Sequence, residues 1–485
     1  MGVSFNAASL LNGNGIDVKS VVTAILTPQS APLSQWQNQQ TDLSTQAGLL
    51  SGLNNNLTSL AAAVLSLADA HGPLASLTAT SSDSTILTAT ADTTAAGGTH
   101  QIVVTNLATT GTVYTDQVKD GNTSFLTSPA TTGDIALQVG GASGTTHDIV
   151  ITQGSNDTLS TLVSYINKQN WGVTASVVTD ASGARLALHS QSSGLQGALA
   201  ITNNDTTLVF NAPVGGTNAA LTIDDVPFSS ATNTVTGAIA GVTLNLASAA
   251  PGSTVQLTVG PDAAQATTAI NNFVDAYNAV MSVINTQFTV DATTNTQGPL
   301  GSDSALRSLQ SSLLNDATYS ITGTNGPVNL ALLGIDMNND GTLTVNTVNT
   351  DIHPSLANVL ATDPSAVQSF FQNASGTGFA NKFNNDLFNL TDVTDGILNV
   401  DIAGNKNQQT ALAKQITALQ DRLTAEQASL TSVFNQVNAT LEAYPSLLLE
   451  VTAELNALNG DYSTSSTTST NTTAATGTSS SSSSG

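Results

Sequence analysis

Only one stretch of the chain has the spacing of a ligand set: Asp336-Met337-Asn338-Asn339-Asp340-Gly341. Oxygen donors at positions one, three and five, with glycine at six, make the first half of an EF-hand calcium loop. Position twelve is Thr347, which supplies no bidentate carboxylate, and the flanks do not read as helices. Asp-Gly turn chemistry accounts for the same residues, so Ile335–Val345 is expected as a β-hairpin about Asp340-Gly341. The five histidines, His71, His100, His147, His189 and His353, include no pair at H-E-x-x-H spacing, and none lies near a G-x-S-x-G. No lysine follows a glycine, which excludes a P-loop, and the absence of cysteine excludes disulfides, thiolate metal sites and cysteine nucleophiles. Paired carboxylates for glycoside hydrolysis can be drawn among 33 acidic residues, but aromatics, the usual sugar platforms, are only 4% of the chain. No enzymatic activity, metal or cofactor is expected.

The charge balance narrows the partners. Net charge is −24, and the nine Lys and Arg are scattered from Lys19 to Arg422. Phosphate recognition and polybasic membrane contact both need clustered cations, so neither nucleic acid nor a membrane surface is an expected partner. No apolar run reaches the roughly 18 residues of a span, and MGVSFNAASLLNGNG lacks the basic and apolar regions of a Sec signal. Membrane insertion and Sec export are therefore not expected.

The strongest patterns are structural. Trp36, Leu43, Leu50, Leu57 and Val64 recur every seven residues, with a second row at Leu33, Gln40, Ala47, Asn54, Ala61 and Ala68. Together they form a heptad seam. A shorter apolar segment, Ile16–Leu26, precedes it and is expected to end at Thr27-Pro28. Far away, Ile416, Leu423, Leu430, Val437, Tyr444, Val451 and Leu458 make a heptad row without a polar member. Its companion row holds Leu412, Leu419, Val433 and Leu447, but also Glu426, Thr440 and Glu454. Pro445 is expected to divide this helix into two pieces meeting near Tyr444, because proline lacks an N–H and clashes with the preceding turn. Each seam needs a partner, and an antiparallel coiled coil of the two buries both.

Between them the period changes to two. Strands are expected at Leu77–Thr80, Thr85–Thr90, Gln101–Thr105, Val173–Val178, Arg185–Leu188, Ala219–Ile223 and Val242–Leu246, with one short helix at Thr158–Lys168. Helix returns after Pro261 with the stripe Ile270, Val274, Tyr277, Val280 and Ile284, then Leu306, Leu309, Leu313 and Leu314, then Leu356–Phe371 restarting at Asp363-Pro364. The organisation expected is α+β: residues 1–75 as an N-terminal stalk helix, 76–260 as a β-rich head of two subdomains, 261–405 as a mainly helical leg, 406–460 as the C-terminal stalk, and 461–485 as a disordered Ser/Thr tail. The coiled-coil or oligomer interface is expected at Trp36, Leu43, Leu50, Leu57, Val64, Leu412, Ile416, Leu419, Leu423, Leu430, Val433, Val437, Val451 and Leu458.

That layout resembles the flagellar filament-capping family, flagellar hook-associated protein 2. Gly15-Ile16-Asp17 with Val21-Val22 and Ala31-Pro32-Leu33 looks like its N-terminal signature, and Ser76–Thr105 like its β-domain entry. Thr158–Asn167, Gly172–Ser176 and Arg185–Leu188 are similar to the flagellin hook IN motif, spanning about residues 137–202. Asn218–Asp225, Asn233–Val235, Ile239–Leu246, Phe273–Asn278, Gly298–Leu300 and Leu333–Ile335 resemble the family's C-terminal region. The resemblance implies a small, pentamer-like homo-oligomeric ring at the outer tip of the flagellum, with terminal helices as legs. It implies flagellin, hook–filament junction proteins and an export apparatus with its chaperone as partners. Another axial flagellar protein, or a surface adhesin using the β-head, remains an alternative.

Overall fold

The computed structural model describes residues 16–323, 326–350, 353–372, 376–392, 394 and 396–459. The fold is α+β, as the change of periodicity predicts. The chain divides into two compact units, residues 1–49 with 401–485, and residues 50–400. The Ser/Thr tail 461–485 lies outside the described residues.

The first unit holds parts of two long helices, α1 (Val18–Ala68) and α8 (Ile397–Asn459). The break expected at Thr27-Pro28 does not occur: α1 runs through Pro28 and Pro32. Pro28 is exposed, so water can take the carbonyl left without a donor. Thr27 Oγ1 donates to the Thr23 carbonyl at 2.7 Å and Ser30 Oγ to the Thr27 carbonyl at 2.9 Å, adding local bonds around the gap. Likewise α8 is one helix through the exposed Pro445, not two pieces. It also begins at Ile397, ahead of residue 406, where the C-terminal stalk is expected to start.

The second unit contains two β-cores, one nested in the other's sequence. The outer core joins a five-stranded antiparallel sheet to a three-stranded one. The larger sheet runs β1 (Leu77–Ser81), β14 (Val255–Pro261), β3 (Gly98–Asn106), β10 (Ala219–Ile223), β11 (Val226–Ser230). The smaller runs β12 (Thr234–Ile239), β13 (Val242–Leu246), β2 (Leu87–Ala91). Alternation sets the buried face: Ile102 and Val104 on β3 meet Val255, Leu257 and Val259 on β14 in one cluster. The inner core lies between β4 (Thr110–Tyr114) and β9 (Leu199–Asn204). It packs the sheets β4-β8-β7 and β6-β5-β9, completed by β5 (Thr132–Val139), β6 (Thr145–Thr152), β7 (Val173–Asp180) and β8 (Gly183–Ser193), with helix α2 (Leu159–Lys168). The outgoing and returning strands are tied together where the insertion begins. The Thr109 N–H donates to the Thr217 carbonyl at 2.9 Å, and Asn233 brackets Ala108, accepting from its N–H at 2.7 Å and donating to its carbonyl at 3.0 Å.

The helical part comprises α3 (Ala263–Phe288), α4 (Ser304–Ala317), α5 (Leu356–Thr362), α6 (Pro364–Gln372) and α7 (Phe379–Thr391). Asp262 and Asp303 cap α3 and α4, each carboxylate accepting two backbone N–H bonds. The α3 stripe is buried, and Phe273 meets Tyr277, Phe371, Phe379 and Phe383 in an aromatic cluster. Helix α7 is absent from the sequence reading. Its signal is Phe379, Phe383 and Leu387, four apart and all buried.

Candidate assembly interface

The terminal helices run antiparallel. Ile16 N–H donates to Asn438 Oδ1 at 2.7 Å, Gln29 Nε2 to Glu426 Oε1 at 2.8 Å, and Gln409 Nε2 to the Leu43 carbonyl at 3.1 Å. Asn405 Nδ2 then donates to Gln46 Oε1 at 3.3 Å. As the first helix ascends from 16 to 46, the second descends from 438 to 405. Leu43, Leu412 and Ile416 form an apolar cluster, with Leu33 and Trp36 packed on it. Leu419 is buried one turn on, and Leu423 and Leu430 are half-buried.

Two departures from the heptad rows have one cause. On α8 the half-buried positions after Glu426 are Leu430 with Thr431 beside it, then Phe434 and Asn438, so that Leu430, Phe434 and Asn438 follow in steps of four. An α-helix has 3.6 residues per turn, so such steps rotate the covered stripe away from a strict seven-residue row. Val433 and Val437 are therefore left exposed, at 50% and 39%, and Phe434 takes the place expected of Val433. On α1 two steps of three, Ala47 to Leu50 to Leu53, turn the stripe the other way. Within the second unit the fully buried positions are Leu50, Leu53, Leu57, Leu60, Val64 and Leu67, while Asn54 and Ala61, expected in the seam, are only half-buried. Leu53, Leu60 and Leu67 are missing from the sequence reading, although each lies three residues after an apolar position that reading contains.

Beyond Asn438, helix α8 carries an unbroken apolar row: Tyr444, Leu448, Val451 and Leu455 follow Val437 and the half-buried Leu441 in steps of four and three. All four are at least half exposed. Val451 is thus not part of the helix pair among the described residues, because α1 begins at Val18 and Ile16, just before it, already lies opposite Asn438. The backbone of Leu458 continues the helix, and its side chain lies outside the described residues.

The ligand-like residues find structural partners. Asp336–Gly341 lies in a hairpin of β15 (Ile335–Met337) and β16 (Leu343–Val345). Asp340 Oδ1 accepts from both the N–H and the hydroxyl of Thr342, and these bonds, the hydroxyl's first, hold its carboxyl below the usual range. Asn278 and Asn285 on α3 grip the hairpin: Asn278 bonds the N–H and the carbonyl of Leu343, each at 2.7 Å, and Asn285 donates to the Asp340 carbonyl. Gly341 has φ +80°, and a Cβ there would sit 2.6 Å from Leu314 Cδ2 and 2.8 Å from Met281 Cε. That glycine thus serves the turn and its close approach to the helices. The histidines do not converge. His100 Nδ1 lies 2.7 Å from Asp224, His147 stacks on Trp171, and His353 stands 3.4 Å from Asp336. Among the described residues no group of three His, Cys, Asp or Glu gathers around a metal-sized space, and no helix is long and apolar enough to cross a membrane.

Comparison with known proteins places this architecture. The family model for the flagellar hook-associated protein 2 N-terminus matches residues 14–111, and that for its C-terminus matches 216–445. The chain belongs to the flagellar hook-associated protein 2 family. Between the two matches, residues 134–192 match the flagellin hook IN motif, which locates that motif in the inner β-core. The chain is 29% identical to the B-type flagellar hook-associated protein 2 of Pseudomonas aeruginosa over 72% of its own length and 78% of that protein's. It is 28% identical to the flagellar hook-associated protein 2 of Escherichia coli K12 over 90% and 95% respectively. Among solved structures, the D1-D2-D3 domains of the flagellar cap protein FliD from Escherichia coli align with a TM-score of 0.56 at 26% identity, covering 74% of this chain and 99% of that one. This is a family of structural flagellar cap proteins.

Proposed function

We propose that the chain caps the distal end of the flagellar filament, outside the cell, as a small homo-oligomeric ring. In this reading exported flagellin folds and inserts beneath the ring instead of escaping. Hook–filament junction proteins and an export apparatus with its chaperone are the further partners. The observation that carries the reading is the exposed row Val437, Tyr444, Leu448, Val451 and Leu455 on a helix already paired at its other end. Fully burying one such side chain is worth about 1.5–3 kcal/mol, so the row is a strong site for contact with neighbouring subunits. The action is geometric and needs no catalytic group.

Deleting the gene is expected to leave cells without filaments and with abundant monomeric flagellin in the medium, and restoring the gene should reverse both. Normal filaments in the deletion strain would reject the capping role. Two substitutions separate the pair from the exposed row. Leu423→Asp puts a charge in the half-buried seam and is expected to loosen the helix pair. Leu448→Asp lies beyond that pair, so it should leave helix content unchanged while reducing filament formation. Wild-type filament length with Leu448→Asp would remove the row from the interface.

A further inference from the structure

Below the aromatic cluster lies a set of charges that capping does not require. Asp316, in the last turn of α4, has a side chain only 3% exposed. Lys382 on α7 donates to its Oδ1 at 2.8 Å and also bonds Asp386 one turn further along α7. One lysine therefore serves two carboxylates. Asp316 Oδ2 is buried and accepts no hydrogen bond. A buried acceptor left unpaired is costly, whereas a protonated carboxyl can donate to a neighbouring carboxylate.

We propose that Asp316, Lys382 and Asp386 form a proton-operated clamp between α4 and α7. With a proton on Asp316, its hydroxyl donates to Asp386, and Lys382 balances the single remaining negative charge. Loss of the proton leaves two carboxylates on one lysine, and a buried oxygen without a donor. The clamp is then weaker, and α7, which carries Phe379 and Phe383, is held less firmly.

The surrounding groups fit this arrangement. Burial first, and Asp386 in addition, lift the Asp316 carboxyl to about 6 against the pull of Lys382. Burial also presses Asp386 upward, but the bonds from Lys382 and Asp316 outweigh it and hold its carboxyl below the usual range. Burial disfavours the Lys382 ammonium, and its two carboxylate partners overcome that and keep it charged. Tyr277 on α3 donates to the Leu313 carbonyl at 3.4 Å, and burial followed by the charge of Asp316 keeps its hydroxyl protonated. Tyr319, after α4, lends its ring to Lys382 at 5.5 Å. Of Asp316, Asp386, Lys382 and Tyr277, only Asp316 changes charge near pH 6. Its folded value lies above its unfolded value of 3.8, so the folded state holds the extra proton between about 4 and 6. Stability from this group is thus present at the acid end and is lost as pH rises through about 6.

Hydrogen exchange of the α7 amides in the full-length protein, corrected for intrinsic rates, tests the clamp. Protection at pH 5 is expected to exceed that at pH 7.5 by about 10-fold, since pH 5 lies about one unit below the folded value of Asp316. Asp316→Asn should abolish that difference. Should that variant fail to fold, Asp386→Asn serves instead: Asp316 then has Lys382 to itself, and the difference should shrink although burial still acts on Asp316. Equal wild-type protection at the two pH values, or an undiminished difference in a folded variant, would overturn the proposal.

Discussion

Phe273→Ala is expected to destabilise the helical part of the second unit by about 3–5 kcal/mol, a large share of the roughly 5–15 kcal/mol that typically holds a domain together. Phe273 is completely buried, and its ring lies 5.7 Å from Phe379, 5.8 Å from Phe383, 6.2 Å from Tyr277 and 6.5 Å from Phe371. Truncation removes the ring's transfer free energy, leaves a cavity that four other side chains cannot close without leaving their rotamers, and breaks several edge-to-face contacts at once. Phe273→Leu should cost less, since it keeps much of the volume. Because the chain holds more than one unit, a single melting temperature is not a sufficient readout. Urea titration followed by hydrogen exchange over α3 and α7 isolates the affected region. Protection there within about 1 kcal/mol of wild type for the alanine variant would mean that Phe273 is not the centre of this core.

Lys382→Met is expected to cost about 1–3 kcal/mol at neutral pH, below the roughly 3–5 kcal/mol of a fully buried ion pair, because the Lys382 and Asp386 side chains are each a third exposed. The substitution keeps the bulk of the side-chain stem but leaves Asp316 and Asp386 facing each other with no cation. It also removes the ammonium from the Tyr319 ring. The penalty should shrink on acidification. Asp316 lies above its unfolded value already, and without lysine it should rise further, so at pH 5 it is neutral and the repulsion is gone. A second substitution, Asp316→Leu on the Lys382→Met background, should recover much of the loss at pH 7, since replacing both members of a buried pair by apolar groups is often close to neutral. A Lys382→Met penalty that is the same at pH 5 and pH 7.5 would show that the lysine acts only by packing.

How the sequence relates to this structure follows from which forces act locally. Period-two segments such as Gln101–Thr105 and Val242–Leu246 became strands because alternation already separates a buried face from a solvated one. The Asp340-Gly341 turn was legible because only glycine accepts φ +80° beside Leu314 and Met281. The family was legible too, in short motifs that kept their order along the chain. The prolines misled, since the penalty for a missing N–H depends on whether water reaches the freed carbonyl, and exposure is not written in a local pattern. Helix α7 escaped notice because Phe379, Phe383 and Leu387 make only two short turns of signal amid polar residues.

By itself, then, the sequence determined the α+β class, the antiparallel kinship of its two ends and the absence of any ligand set with complete spacing. Tertiary structure alone decided which side chains within each long helix are covered. Along α8 burial depends on where the opposing helix begins and on the drift between 3.6 residues per turn and a seven-residue row, so Val433, Val437 and Val451 stayed in water, while Leu53, Leu60 and Leu67 of α1 are buried in the second unit. It also decided that Asp316, Lys382 and Asp386 meet. Residues 316 and 382 are 66 positions apart, and only the packing of α4 on α7 gives a charge at one a reason to answer a charge at the other.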